Sequence, residues 1–178
     1  SEADPVFSPD GRTLVYASEK SGKWNLYRIT LGEEDDDFIT AANLVEEPLL
    51  QNAGFDRRMP LFSPDGKELS FIENRDRLMV MNLADAQVRQ VTDGSHISQT
   101  WGVYPYSWSP DGKWFVLEGD VLKHKTNILL VNASGKEPII NLTRSGYPDT
   151  DPVWALGGDA ILFMSQRYGM YDQSRVGG

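Results

Sequence analysis

A five-residue corner, Phe-Ser-Pro-Asp-Gly, stands at residues 7–11 and again at 62–66, and returns as Trp-Ser-Pro-Asp-Gly at 108–112. Proline presets the second position of a type I turn, aspartate suits the third, and glycine takes the left-handed position that follows at no steric cost. A type I turn closed by a left-handed residue is a common hairpin connection. The corner therefore recurs because a hairpin recurs. Ser8, Ser63 and Ser109 head the copies at spacings of 55 and 46 residues, and a further 46 residues leads to Ala155 in VWALGGDAILF, a fourth copy that has lost Ser-Pro-Asp.

Aligned on Gly11, Gly66, Gly112 and Gly158, the copies share more than the turn. Four residues before each glycine stands an aromatic: Phe7, Phe62, Trp108 and Trp154. Leu14, Leu69, Phe115 and Ile161 lie three residues after it, and Tyr16, Phe71, Leu117 and Phe163 five after. Apolar residues two apart share one face of a strand. NLYRIT (25–30), RLMVMN (77–82) and NILLVN (127–132) align as a third strand. VRQVTDG (88–94) and IINLTRSG (139–146) align as a fourth, with a weaker counterpart in EPLLQN (47–52).

Four short antiparallel strands repeated every 46 or so residues are the signature of β-propeller blades. The pattern predicts an all-β chain, a β-propeller fragment with three full four-stranded blades at about 4–52, 58–93 and 104–144. The first hairpin of a fourth blade follows at 151–178. Closed propellers have four to eight blades, so the expectation is one incomplete domain cut from a larger ring. Unpaired blade edges invite self-association.

Composition narrows the function classes. The net charge of −9 argues against nucleic acid and anionic membrane surfaces, since such binding needs lysine and arginine to displace counterions. Cysteine is absent, which removes disulfides, thiolate nucleophiles and cysteine zinc sites. No apolar run approaches the 20 or so residues of a spanning helix. No cofactor, metal set or phosphate loop is legible.

The repeated serines could be mistaken for nucleophiles. A nucleophilic serine needs a base within hydrogen-bond reach, and the two histidines, His96 and His124, do not recur with the repeat. Pro9, Asp10, Gly11, Pro64, Asp65, Gly66, Pro110, Asp111 and Gly112 are read as structural turns. The EEDDD run (33–37) lacks the alternation and glycine of a calcium loop and reads as a solvated insertion. His124 reads as a solvated loop tip, and Asp151 as framework equivalent to Asp4. His96, Trp101 and Tyr104, in the connection into the third blade, are candidate peptide-facing residues. With Tyr106, these aromatics could equally wedge between blades.

The repeat PxFSPDGxxLxFxS…NLYxI is similar to one shared by TolB proteins, prolyl oligopeptidase propellers and tricorn-type proteases. The stretch NLTRSGYPDTDPVWALGGDAILFMSQRYGM (141–170) resembles bacterial tricorn-like serine peptidases of family S41. Leu142, Thr143, Ser145, Gly146, Tyr147, Asp149, Pro152 and Trp154 fit its first half. Gly158, Ala160, Ile161, Phe163, Ser165, Arg167, Tyr168, Gly169 and Met170 fit its second. YDQSRVGG beyond them departs from the pattern. The resemblance implies a parent with propellers, a PDZ domain and a C-terminal catalytic core absent from this chain. The propeller would then guide peptides, in a periplasmic or otherwise extracytoplasmic bacterial compartment or alternatively in the cytoplasm. Arg167 and Tyr168 are further candidate peptide-facing residues. The alternative is a TolB-like protein-binding propeller with no peptidase attached.

Overall fold

Each Ser-Pro-Asp-Gly corner folds into the same hydrogen-bonded knot. In the first, the Gly11 amide donates to Ser8 O (2.8 Å), Ser8 Oγ donates to Asp10 Oδ1 (2.5 Å), and Ser8 Oγ accepts from the Thr13 amide (2.9 Å). Gly11, Gly66 and Gly112 have φ of 73°, 70° and 70°, the left-handed conformation that a Cβ would strain. The computed structural model describes residues 1–31, 44–51, 54–96, 106–122 and 125–167.

The chain is all-β and forms β-propeller blades. It divides into two compact units, Ser1–Asp93 and Gly94–Gly178. The first holds two four-stranded antiparallel sheets. One is β1 (Glu2–Phe7), β2 (Thr13–Ser18), β3 (Asn25–Thr30) and β4 (Val45–Pro48); the other is β5 (Arg57–Phe62), β6 (Glu68–Glu73), β7 (Arg77–Asn82) and β8 (Val88–Gln90). In both, strand order follows chain order. Val15, Ala17 and Leu26 of the first sheet meet Leu69, Phe71 and Met81 of the second in one fully buried cluster. Each of these side chains except that of Ala17 contributes about 1.5–3 kcal/mol relative to exposure.

The second unit contains β9 (Tyr106–Trp108), β10 (Trp114–Leu122), β11 (Lys125–Asn132) and β12 (Ile140–Asn141) as a third four-stranded sheet. The hairpin of β13 (Asp149–Ala155) and β14 (Ala160–Ser165) forms a two-stranded sheet, and β13 packs across β10 and β11. Three sheets and a hairpin are the expected count. The corner between β13 and β14 differs in backbone: Leu156 and Gly157 are both left-handed (φ 51° and 69°), which replaces Pro-Asp.

The third strands fall where the repeat places them. The fourth strands are shorter or earlier than the sequence indicates. β8 and β12 stop because a threonine takes over from the ladder. Thr92 Oγ1 accepts from the Leu78 amide (2.9 Å), and Thr143 Oγ1 from the Ile128 amide (3.2 Å). β4 lies two residues ahead of the sequence expectation. It ends at Pro48, after which Leu49 and Leu50 pack against the core.

The first strands of three of these sheets share one further device. β1, β5 and β13 each slip register just before a proline, at Asp4, Met59 and Asp151, whose φ values are 55°, 57° and 53°. These bulges bend the strand. The extra amide is capped by a carboxylate of the preceding sheet: Met59 N donates to Asp4 Oδ2 (3.0 Å), and Asp151 N to Glu118 Oε1 (2.6 Å).

Candidate functional site

The repeated serines are occupied in backbone work. Ser63 Oγ donates to Asp65 Oδ1 (2.7 Å) and accepts from the Glu68 amide (2.9 Å); Ser109 Oγ donates to Asp111 Oδ1 (2.6 Å) and accepts from the Trp114 amide (2.9 Å). The serine hydroxyl, and then the amide two residues beyond each aspartate, hold Asp10, Asp65 and Asp111 below the usual carboxylate range. Each hydroxyl proton is committed to a carboxylate in its own turn. No base among the described residues is placed to take it.

Polar chemistry collects instead where the first strand of a sheet begins. Arg57 opens β5 and is 7% exposed. Its Nε donates to Glu73 Oε2 (3.2 Å), and its Nη1 to Asn25 Oδ1 (3.1 Å) and Gln51 O (2.9 Å). Glu73 also faces Arg77 Nη2 at 3.4 Å, and Asn25 Nδ2 donates to Leu50 O (2.8 Å). A buried ion pair whose remaining donors are hydrogen-bonded offsets its desolvation. This cluster is a closed joint between the first two sheets.

Beside it, Arg58 reaches Asp4 with Nε (2.9 Å) and Nη2 (3.3 Å) while its guanidinium lies over the Trp24 ring at 4.2 Å. Stacking and a forked ion pair suit arginine and not lysine.

The equivalent position in the second unit is Asp149, which opens β13 and is fully buried. Ser145 Oγ donates to Asp149 Oδ2 (2.6 Å), and Arg167 Nη2 lies 3.7 Å from the same oxygen. Burial pushes this carboxyl up. The hydroxyls of Ser145, Ser165 and Thr143, with the Arg167 charge, outweigh it and leave the group below its ordinary value. Thr143 Oγ1 also lies 3.3 Å from Asn127 Oδ1, an alternative acceptor for its single proton. Unlike the Arg57 joint, this one is incompletely satisfied: Asp149 Oδ1 and Arg167 Nε are buried without a hydrogen-bond partner among the described residues.

The candidate peptide-facing residues divide. His96 is half-buried, and its carbonyl oxygen lies 2.7 Å from where a Cβ on Gly119 would stand, so this connection rests directly on β10. Arg167 joins Asp149, and its side chain is 40% exposed. Trp101, Tyr104, Tyr168, His124 and the EEDDD run lie outside the described residues. Tyr106 is buried, its ring 5.9 Å from that of Phe115, against which Trp108 also packs at 4.1 Å.

The repeat alignment did not single out Arg57 and Asp149. Their signal is positional: each stands two residues ahead of a bulge residue, Met59 or Asp151. No helix among the described residues is long and apolar enough to cross a membrane.

No family model matches the chain. Among solved structures, it is similar to TolB from Acinetobacter baumannii, with a TM-score of 0.66 and 23% identity over 92% of this chain. It also resembles a TolB described as putative from Agrobacterium tumefaciens (TM-score 0.64, 22% identity, 91% of this chain) and the tricorn protease (TM-score 0.64, 12% identity, 88% of this chain). The chain spans 37% and 53% of the lengths of those two TolB proteins and 14% of the tricorn protease. Identities this low show a shared propeller fold.

Proposed function

We propose that this chain is a non-catalytic β-propeller segment of a tricorn-like serine peptidase, a scaffold that guides peptides toward a catalytic domain lying elsewhere in the parent. The observation that supports it most is the convergence around Asp149. Five residues of the peptidase-like stretch, Thr143, Ser145, Asp149, Ser165 and Arg167, are scattered over more than 20 positions of sequence yet form one polar cluster. A motif whose members gather on one buried carboxylate at a blade joint makes physical sense as framework. The nearby Arg167 guanidinium, half in solvent, and the His96 connection supply the polar and irregular surface that an extended peptide could follow.

A TolB-like protein-binding propeller is the second reading, favoured by the TolB structural similarity. Both readings place the chain in an extracytoplasmic compartment of a bacterium and assign it no hydrolytic activity of its own. The parent open reading frame separates them. A PDZ segment and a serine peptidase region downstream support the first, and a chain that terminates after a few further blades supports the second. Peptide hydrolysis by the 178-residue chain alone is expected to be nil, and serine-dependent turnover by it would overturn both.

A further inference from the structure

In the first unit three loops close over the joint between its two sheets. They are the β2–β3 loop (19–24), the end of the connection into β5 (54–56) and the β6–β7 turn (74–76). Asp56 ties them together. Its amide donates to Asn74 Oδ1 (3.2 Å), its carbonyl accepts from the Asn74 amide (2.7 Å), and its Oδ1 accepts from the Trp24 amide (3.2 Å). Asn74 and Arg75 are consecutive left-handed residues, with φ of 51° and 71°. Asparagine tolerates that backbone, and here its side chain serves Asp56. At the second such position glycine is favoured, and an arginine carries strain there, yet its side chain is exposed. The neighbouring cations are matched: Arg57 and Arg77 by Glu73, Arg58 by Asp4, and Lys20 by Glu46. Arg75 and the exposed Lys23 of the β2–β3 loop make no ion pair among the described residues. Phe55, next to Asp56 in the chain, is 39% exposed although the Arg77 guanidinium lies over its ring at 5.7 Å.

We propose that this surface docks an extended acidic peptide: Arg75 receives a side-chain carboxylate, Phe55 an apolar side chain beside it, and Lys23 a second carboxylate. Backbone strain kept for an exposed side chain points to work outside the fold. A guanidinium with no partner is the group best shaped to take a carboxylate through two parallel hydrogen bonds. In a chain of net charge −9, two unmatched cations on loops joined through Asp56 form a local exception to the prevailing field. Two cations suit a run of acidic side chains, whereas a chain terminus brings a single carboxylate. Both sheets that flank the joint are present, and the loops lie over it. The occupant rests on the peptide-guiding role proposed above and narrows it to one class of sequence.

Titration calorimetry on the 178-residue chain tests it with three probes. One is an acetylated and amidated peptide that alternates glutamate with leucine, the second its glutamine counterpart, and the third a neutral leucine peptide with a free C-terminal carboxylate. The first is expected to bind, less tightly as salt rises, and the glutamine peptide at least about tenfold more weakly. Arg75→Gly should lose binding of the first by a similar factor while raising the melting temperature, because glycine relieves the turn. Lys23→Gln should weaken binding by a smaller factor. Arg75→Gly that binds like the wild type overturns the proposal, as does equal binding of the glutamine peptide, tighter binding of the free-carboxylate peptide, or no binding of any probe. A fall in the melting temperature of Arg75→Gly also overturns it, since the arginine would then belong to the fold. None of these results decides the parentage, which the parent open reading frame settles separately.

Discussion

Pro9 of the first corner lies on Gly66 of the second: a Cβ built on Gly66 would sit 3.4 Å from Pro9 Cδ. The second unit repeats the relation, with Pro110 Cδ at 3.4 Å from a Cβ on Gly158. Each proline thus both shapes its own turn and packs on the glycine of the following one. The fourth corner lacks Ser-Pro-Asp but keeps the glycine on which Pro110 rests.

This relation separates two costs of replacing a corner glycine. Gly11 and Gly66 share a left-handed φ, but nothing lies within 4 Å of a Cβ at Gly11. Alanine at either position should cost about 1–2 kcal/mol through backbone strain, because 3.4 Å is ordinary contact. Gly66→Leu should cost distinctly more than Gly11→Leu, since only the former drives its side chain into Pro9. Urea denaturation of the four variants checks the ordering; equal costs for the two leucines would remove the packing role.

The serine of the corner is predicted to matter for stability alone. Ser63→Ala deletes the donor to Asp65 and the acceptor of the Glu68 amide at a buried position, a loss of about 1 kcal/mol. Asp10, Asp65 and Asp111 are held below their ordinary values when folded. Their contribution is therefore present above the unfolded pKa, near 4, and fades as pH falls through the lower folded values. Melting temperature against pH between 2 and 6 should drop less steeply in Ser63→Ala than in the wild type.

How far the sequence reveals this molecule depends on which forces repeat. The hairpins were legible because turn stereochemistry and period-two burial act locally and in every copy. The ends of β8 and β12 were not, because each is decided by one threonine hydroxyl displacing a ladder bond across the sheet. The polar joints were hidden for a related reason. Arg57 and Asp149 occupy one repeat position with opposite charge, so letter-by-letter alignment discards them. Only the partners brought by folding, Glu73 and Asn25 for one and Ser145 and Arg167 for the other, reveal their common place.

At the Arg57 joint, removing one charge should be worse than removing both. Arg57→Met strands Glu73 with Arg77 alone, and Glu73→Gln leaves the Arg57 guanidinium buried with neutral partners. Each is expected to cost about 3–5 kcal/mol, as is usual for breaking a buried pair. The double variant should recover much of that loss, since Arg77 is partly exposed and can turn to water. A double-mutant cycle by chemical denaturation gives the coupling directly; simple additivity would show that the pair contributes nothing as a pair.

Gly119 is needed for a different reason from the corner glycines, since its backbone is extended. A Cβ there would stand 2.2 Å from Leu129 Cδ1 and 2.7 Å from His96 O. The leucine end can swing away, whereas the carbonyl belongs to the main chain and can move only with its segment. Gly119→Ala should cost about 1–3 kcal/mol as overpacking and displace residues 94–96 from β10. Hydrogen exchange is expected to accelerate at those amides while the β5–β8 sheet stays protected.

Two carboxyls of the second unit should titrate with opposite effect on stability. Asp149 is lowered overall, so its contribution holds above the unfolded pKa and is lost as pH falls through the folded value. Asp149→Asn should therefore destabilise at neutral pH and converge on the wild type in acid. Glu118 is raised, first by burial and further by the charge of Asp151, although the Asp151 amide favours its ionised form. The folded state then binds the proton more tightly, and ionisation on raising the pH weakens folding. Glu118→Gln can still accept from the Asp151 amide through Oε1, so at neutral pH it should equal or exceed the wild type in stability. Its advantage should vanish as the pH drops below the unfolded glutamate pKa, near 4.3. Denaturation curves for both variants at pH 4 and 7 decide the matter: parallel responses from the two would mean that neither the hydroxyl cluster around Asp149 nor the burial of Glu118 governs their protonation.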